Sequence, residues 1–173
     1  MASIRSAWIA AILFCLVPAA AGCAAGPSTG AEPSTAPARS TGPAMAPRAL
    51  AAKYLAIAEP ANHRLDIEVD AYADNAHHDL AAARKALRAE AATERQFDRS
   101  LAAISFPRAI ETTARALIRV NEIRARLALR QAAAPSIRAL LSFTATHNAA
   151  DAEVEAQVRV IRRQLGLPPP ETS

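Results

Sequence analysis

Between Arg48 and Leu165 the chain has no glycine at all. Phosphate-cradling loops, nucleophile elbows and dinucleotide fingerprints need glycine where backbone meets ligand, so that stretch holds none of them. Cysteine is as scarce: Cys15 and Cys23 are the only two, and both lie near the N-terminus. Beyond Cys23 neither an intrachain disulfide nor a thiol nucleophile is available. Aromatics are few. Trp8 is the single tryptophan, and past Cys23 the rings are Tyr54, Tyr72, Phe97, Phe106 and Phe143. That poverty argues against stacking of sugars or bases, and no nucleic-acid partner is expected. A strong excess of either charge is missing too, since 18 Lys/Arg face 15 Asp/Glu from Arg48 onward. No Ser/His/Asp or Cys/His set stands out, so the expectation is a protein that is not an enzyme, with no catalytic residues and no cofactor.

The one long apolar run is Ala7–Val17, eleven residues behind Arg5. It is too short for a stable span and has the layout of a secretory signal. Pro18 breaks it, and Ala20-Ala21-Gly22 places small residues ahead of Cys23. These four residues resemble a bacterial lipobox, in which the cysteine becomes an acylated N-terminus, although Ala20 stands where leucine is usual. The resemblance implies a lipoprotein signal over 1–22, lipidation with palmitate-type chains at Cys23, and anchoring to the outer face of the cell membrane. The competing reading is cleavage after Ala19-Ala20-Ala21 and release as a plain secreted protein.

Residues 24–47 hold five prolines, three glycines and six Ser/Thr. Such a segment buries too little apolar surface to offset the entropy of ordering. With Cys23 it reads as a tether with a root-mean-square span of roughly 25–30 Å.

From residue 48 to 167 the apolar spacing is helical. Leu50, Tyr54, Ile57, Ala61, Leu65, Val69, Tyr72 and Ala76 step by three or four through Pro60, which predicts one kinked helix. Leu80, Leu87, Glu94 and Leu101 form a second row, beside Ala83, Glu90, Phe97 and Ile104. Pro107 suits the start of a third helix, with Ile110, Ala114, Leu117, Asn121, Arg124 and Ala128 on one face. Pro135 and Ser136 start a fourth, running from Ile137 through His147 and Val154 to Leu165, with Gly166 as its cap and 168–173 as a tail. This predicts an all-α, up-down-up-down four-helix bundle, each helix roughly 35–45 Å long. A longer helix running through Asp74–Asp79 and pairing with a second copy is the competing architecture. Oligomeric state is left open.

Polar residues on these faces are the candidates for a site. His63 follows Glu59 by four, and His147 precedes Asp151 by four. A His/carboxylate cluster from the first and fourth helices would be a metal or small-ligand site. The Glu-x-x-His repeats of di-iron bundles are absent, so no metal ligand is assigned. A structural layer of Asn62, Asn121 and His147 is the favoured alternative, since buried polar groups set register in bundles. His77 and His78 are read as surface turn residues. The third helix carries Arg108, Arg115, Arg119, Arg124, Arg126 and Arg130, read mainly as a solvated face with i,i+4 partners.

Cys23, the tether, and Tyr54-Leu-Ala-Ile-Ala-Glu-Pro-Ala-Asn62 ahead of an Ala/Arg-rich bundle are similar to the helical-bundle lipoproteins of high-GC, actinobacterial-type genomes. That resemblance implies export and anchoring and transfers no active site. It implies a non-enzymatic envelope lipoprotein whose bundle meets a protein or anionic polymer. The alternative function is a bundle that binds a small ligand or metal through its polar mid-helix residues.

Overall fold

Strong helix formers fill residues 48–165, and the computed structural model, which describes residues 47–170, is helical with short connections. The signal segment, Cys23 and the tether up to residue 46 lie outside the described residues, as do 171–173. The helices are α1 (Pro47–Asn75), α2 (Leu80–Ala102), α3 (Arg108–Ala132), the five-residue α4 (Ile137–Leu141) and α5 (Thr144–Gln164). They belong to one compact unit. α1 packs on α2, α2 on α3, and α3 on both α4 and α5. Pro47, placed by sequence at the end of the tether, is the first residue of α1. There its missing N–H costs nothing, because the first-turn N–H groups have no helical partner.

α1 continues through Pro60 as one helix. It stops at Asn75, and Asp79 caps α2 by accepting a hydrogen bond from the Ala82 N–H at 2.9 Å. The turn with exposed His77 and His78 therefore separates two helices, and the long continuous helix is ruled out. Ser136 caps α4 by accepting from the Ala139 N–H at 3.2 Å.

The expected single fourth helix is corrected. It breaks at Ser142–Phe143 into α4 and α5. Local side-chain bonds compete with the helical ladder there: Ser142 Oγ donates to the Ala139 carbonyl, and Thr144 Oγ1 to the Leu141 carbonyl, at 2.7 and 2.8 Å.

α5 ends in a Schellman arrangement. Leu167 N–H reaches the Arg162 carbonyl at 2.9 Å, and Gly166 N–H reaches the Arg163 carbonyl at 3.1 Å. Gly166 sits at φ +68, where a Cβ would meet no atom but would strain the backbone. Gly166→Ala should therefore cost about 1 kcal/mol, from conformation alone. Chemical denaturation checks this, and an unchanged midpoint would mean that the left-handed cap is not populated.

Two apolar cores stack along the bundle. One gathers Leu50, Tyr54, Leu101, Leu117, Val154 and Ile161, with Phe97 edge-on to Tyr54 at 6.4 Å. The other is alanine-rich, with Ala83, Leu87, Ala91, Ala125, Ala128 and Leu140. Alanine lets helix backbones approach closely. In sequence the two sets are separated on α2 by Glu94 and Asp98, and on α3 by Asn121 and Arg124. The site lies at that junction.

Candidate functional site

Helical spacing puts Glu90 and Glu94 one turn apart on the inner face of α2. α3 supplies Arg124 opposite them, and α5 supplies Asp151. The guanidinium donates to Glu90 Oε1 at 2.7 Å, to Glu94 Oε1, and through Nε to Asp151 Oδ1. Arg124 is 3% exposed, Glu90 3% and Glu94 4%, so the cluster is inside the protein. Three carboxylates surround one cation. Only the planar, five-donor fork of arginine serves that many acceptors from one position.

The electrostatics follow from burial and proximity. Burial alone would lower the pKa of Arg124, but Glu90 and Asp151 raise it above its ordinary value, and it stays charged. Burial raises the Glu90 carboxyl, Arg124 opposes, and Asp151 and Glu68 push it further up. Glu68 on α1 accepts from Thr93 Oγ1 at 2.8 Å, and burial raises it too. One turn along α2, Asp98 accepts from Asn121 Nδ2 at 2.8 Å. Burial pushes Asp98 up to about 7, against the pull of that hydrogen bond.

Two clefts lie between α1 and α5, one on each side of this layer. The larger, about 180 Å³, has Glu90, Arg124 and Gln131 in its floor, with Tyr72, His147 and Asp151 around them. The smaller, about 50 Å³, is lined by Tyr54, Asn62, Glu94, Phe97, Asn121 and Arg162, among others. Several acceptors have no hydrogen-bond partner: Glu68 Oε2, Glu94 Oε2 and Gln131 Oε1, and His147 Nε2 is unpartnered as well. Burial, aided by Arg124 and opposed by Asp151, lowers His147 to about 4, so its ring is neutral at neutral pH.

The residues singled out by sequence divide. His147 and Asp151 do come together, in the larger cleft. Asn62 and Asn121 line the smaller one. The expected layer of Asn62, Asn121 and His147 is corrected: Asn121 is bonded to Asp98, and the polar layer is built from Glu90, Glu94, Arg124 and Asp151. Glu59 and His63 are exposed on α1 and line neither cleft. Among the described residues, no group of three or more His, Cys, Asp or Glu is placed to hold a metal. A guanidinium occupies the middle of the carboxylates instead.

No protein-family model, curated protein or solved structure matches this chain. The site therefore rests on its own chemistry.

The arginine row of α3 also splits. Arg124 turns inward, while Arg108, Arg115, Arg119, Arg126 and Arg130 are exposed. Arg115 pairs with Glu111 and Arg126 with Glu122 at i,i+4. Glu122 also takes a two-bond grip from Arg95 of α2, both at 3.0 Å. The Arg95 and Arg126 hydrogen bonds hold its carboxyl down at about 2. Sequence reasoning put Glu90, Glu94 and Arg124 on apolar rows but did not join them into one cluster. It gave no role to Asp98 or Gln131. The available signal was three ionisable residues at core spacing on two helices predicted to be neighbours.

Proposed function

We propose that the protein is an exported, lipid-anchored envelope lipoprotein. Acylated Cys23 holds it to the outer face of the cell membrane, and the helical bundle is displayed on the tether without enzymatic activity of its own. The observation that carries this reading is the order of segments along the chain. The helical residues described from Pro47 onward form a unit with its own cores, and in sequence they follow the Pro/Ser/Thr-rich segment that comes after the lipobox-like Ala20–Cys23. Among the described residues no helix is long and apolar enough to cross a membrane.

The bundle is taken as up-down-up-down. The pairings Arg84–Ala134, Glu94–Arg124 and Asp98–Asn121, in which numbers rise on α2 as they fall on α3, support that order. The outward arginines of α3 offer a face for an anionic envelope polymer or an acidic protein. Cys23→Ala should abolish acylation and move the protein from the membrane fraction to the soluble one. Retention of the variant in membranes after a high-salt wash would contradict the anchor.

A further inference from the structure

We propose that the outer side of α2 and α3 is a docking face for an anionic lipid surface, on which the bundle lies along its length. This rests on the envelope reading only for the nearness of a membrane, and the face itself follows from the helices.

Spacing is the first ground. On α2, Arg84, Arg88, Arg95 and Arg99 recur at four and seven residues, and the five outward arginines of α3 recur at seven and four. Such steps return to one side of a helix, so each set is a single row. The rows lie side by side. Arg95 grips Glu122, and Glu122 also accepts from Arg126 Nε at 2.7 Å, so one carboxylate bridges the two. The Arg84–Ala134 and Arg95–Glu122 contacts set Arg88 about level with Arg130, and Arg99 with Arg119. Helices packed 8–10 Å apart, with a row of 23 residues on the longer one, make a face roughly 10 by 30 Å.

The fate of the acids is the second ground. α2 has three carboxylates, Glu90, Glu94 and Asp98, and all are buried. The two on α3, Glu111 and Glu122, are half-buried and already paired with arginines. With Lys85, ten basic side chains stand outside the core on these two helices, against those two paired carboxylates. Exposed Arg88, Arg99, Arg119 and Arg130 form no ion pair among the described residues. α1, by contrast, exposes Glu59, Asp70 and Asp74, and α5 balances three carboxylates with three arginines. The small net charge of the chain therefore hides a strongly basic side, created because the acids of α2 point inward.

Shape selects the occupant. A polymer strand could follow the single row of α3, but two rows abreast match a plane of headgroups, and the arginine fork suits their phosphates. Ile123, 61% exposed between Arg119 and Arg126, offers an apolar side chain to the acyl boundary. A tether spanning roughly 25–30 Å lets an anchored bundle lie flat. Each basic residue near such a surface adds to the attraction, which salt screens.

The test is methyl NMR of the full-length protein on lipid nanodiscs carrying a gadolinium-chelating lipid. Ile67 of α1, 56% exposed, is the internal control for Ile123. On discs of phosphatidylglycerol and phosphatidylcholine in equal parts, at about 0.1 M salt, the Ile123 methyl should broaden several-fold more than that of Ile67. The contrast should vanish on phosphatidylcholine alone and at about 1 M salt. Replacing Arg88, Arg99, Arg119 and Arg130 together by Gln should abolish it while circular dichroism still reports a folded helix. Equal broadening of Ile67 and Ile123 on the anionic discs would overturn the proposal, as would a contrast that survives on phosphatidylcholine or in the fourfold variant. Binding of inorganic polyphosphate at Ile123 without the contrast on anionic discs would assign the face to a polymer and equally overturn it. Cys23→Ala separates the two readings: the anchor fails if that variant stays on phosphatidylcholine discs in high salt, whereas the face fails on the Ile123–Ile67 contrast alone.

Discussion

At neutral pH, Arg124→Met is expected to destabilise the protein by about 3–5 kcal/mol, the cost typical of leaving buried charge without its partner. Methionine is close to arginine in volume though shorter, so lost volume is a minor part of the effect. The larger part is that Glu90, Glu94 and Asp151 would face one another with no cation among them. The folded-state pKa of Glu90, already raised by burial, would rise further without the opposing guanidinium, while the unfolded chain would keep an ordinary one. Stability associated with a raised carboxylate is present below the unfolded pKa and lost as pH rises through the folded one. The deficit of the variant should therefore be largest at pH 7–8 and shrink towards pH 4. Combining Arg124→Met with Glu90→Gln, Glu94→Gln and Asp151→Asn should recover most of the loss at neutral pH, since an uncharged layer no longer needs the guanidinium. Arg124→Lys should recover little, because an ammonium cannot reach acceptors on two helices in one plane. Urea midpoints across pH read all of these. A cost below about 1 kcal/mol for Arg124→Met would mean that the side chain is solvated.

The second large effect is a pair of hidden pH dependences of opposite sign. Asp98 keeps its proton in the fold up to about 7, against an ordinary value of 3.8. The folded state holds the extra proton, so this contribution weakens stability as pH rises from about 4 to about 7, by roughly 2–4 kcal/mol. His147 runs the other way. Its folded value is about 4 against an ordinary 6.5, so the unfolded chain takes up the proton first. Stability is then lost as pH falls from about 6.5 towards 4, by roughly 2–3 kcal/mol.

In the wild type the two slopes largely cancel over their shared window. Asp98→Asn retains an acceptor for Asn121 and should stabilise the protein at pH 8 by roughly 2–4 kcal/mol. It should also unmask the acid lability due to His147. His147→Leu should unmask the opposite slope, with stability growing as pH falls to about 4. Thermal melts at half-unit pH steps on the two variants decide this. Parallel profiles for both would show that neither group is perturbed as described.

The helices were legible because apolar residues recur at three and four over long runs, and because Asp79, Ser136 and Gly166 mark their ends with cap chemistry. The break at Ser142–Phe143 was not legible. It depends on hydroxyls of Ser142 and Thr144 bonding to nearby carbonyls, a local competition that leaves the apolar phase of α5 intact. The charged layer was half legible. Arg124 stood on the Leu117 face of α3, but five other arginines on that helix do face solvent, and composition alone grouped all six together. Whether a charge at core spacing turns inward depends on what the opposite helix offers, here Glu90 and Glu94. Asp98 carried no signal because its partner Asn121 lies on another helix, at a height fixed only by packing. His147 and Asp151 were identified together by their spacing on α5, whereas the cleft beside them depends on how α1 lies across from α5.

The measurement closest to the centre of this account is hydrogen exchange of the Arg124 guanidinium, followed by nitrogen-15 NMR at pH 7–8. Three carboxylates gripping a 3% exposed side chain should keep its Nε–H resonance visible, slowing exchange by orders of magnitude relative to exposed Arg115. Arg124→Met should remove that one resonance and no other. An Arg124 signal that exchanges as fast as that of Arg115 would contradict the buried layer, and with it the cleft built against it.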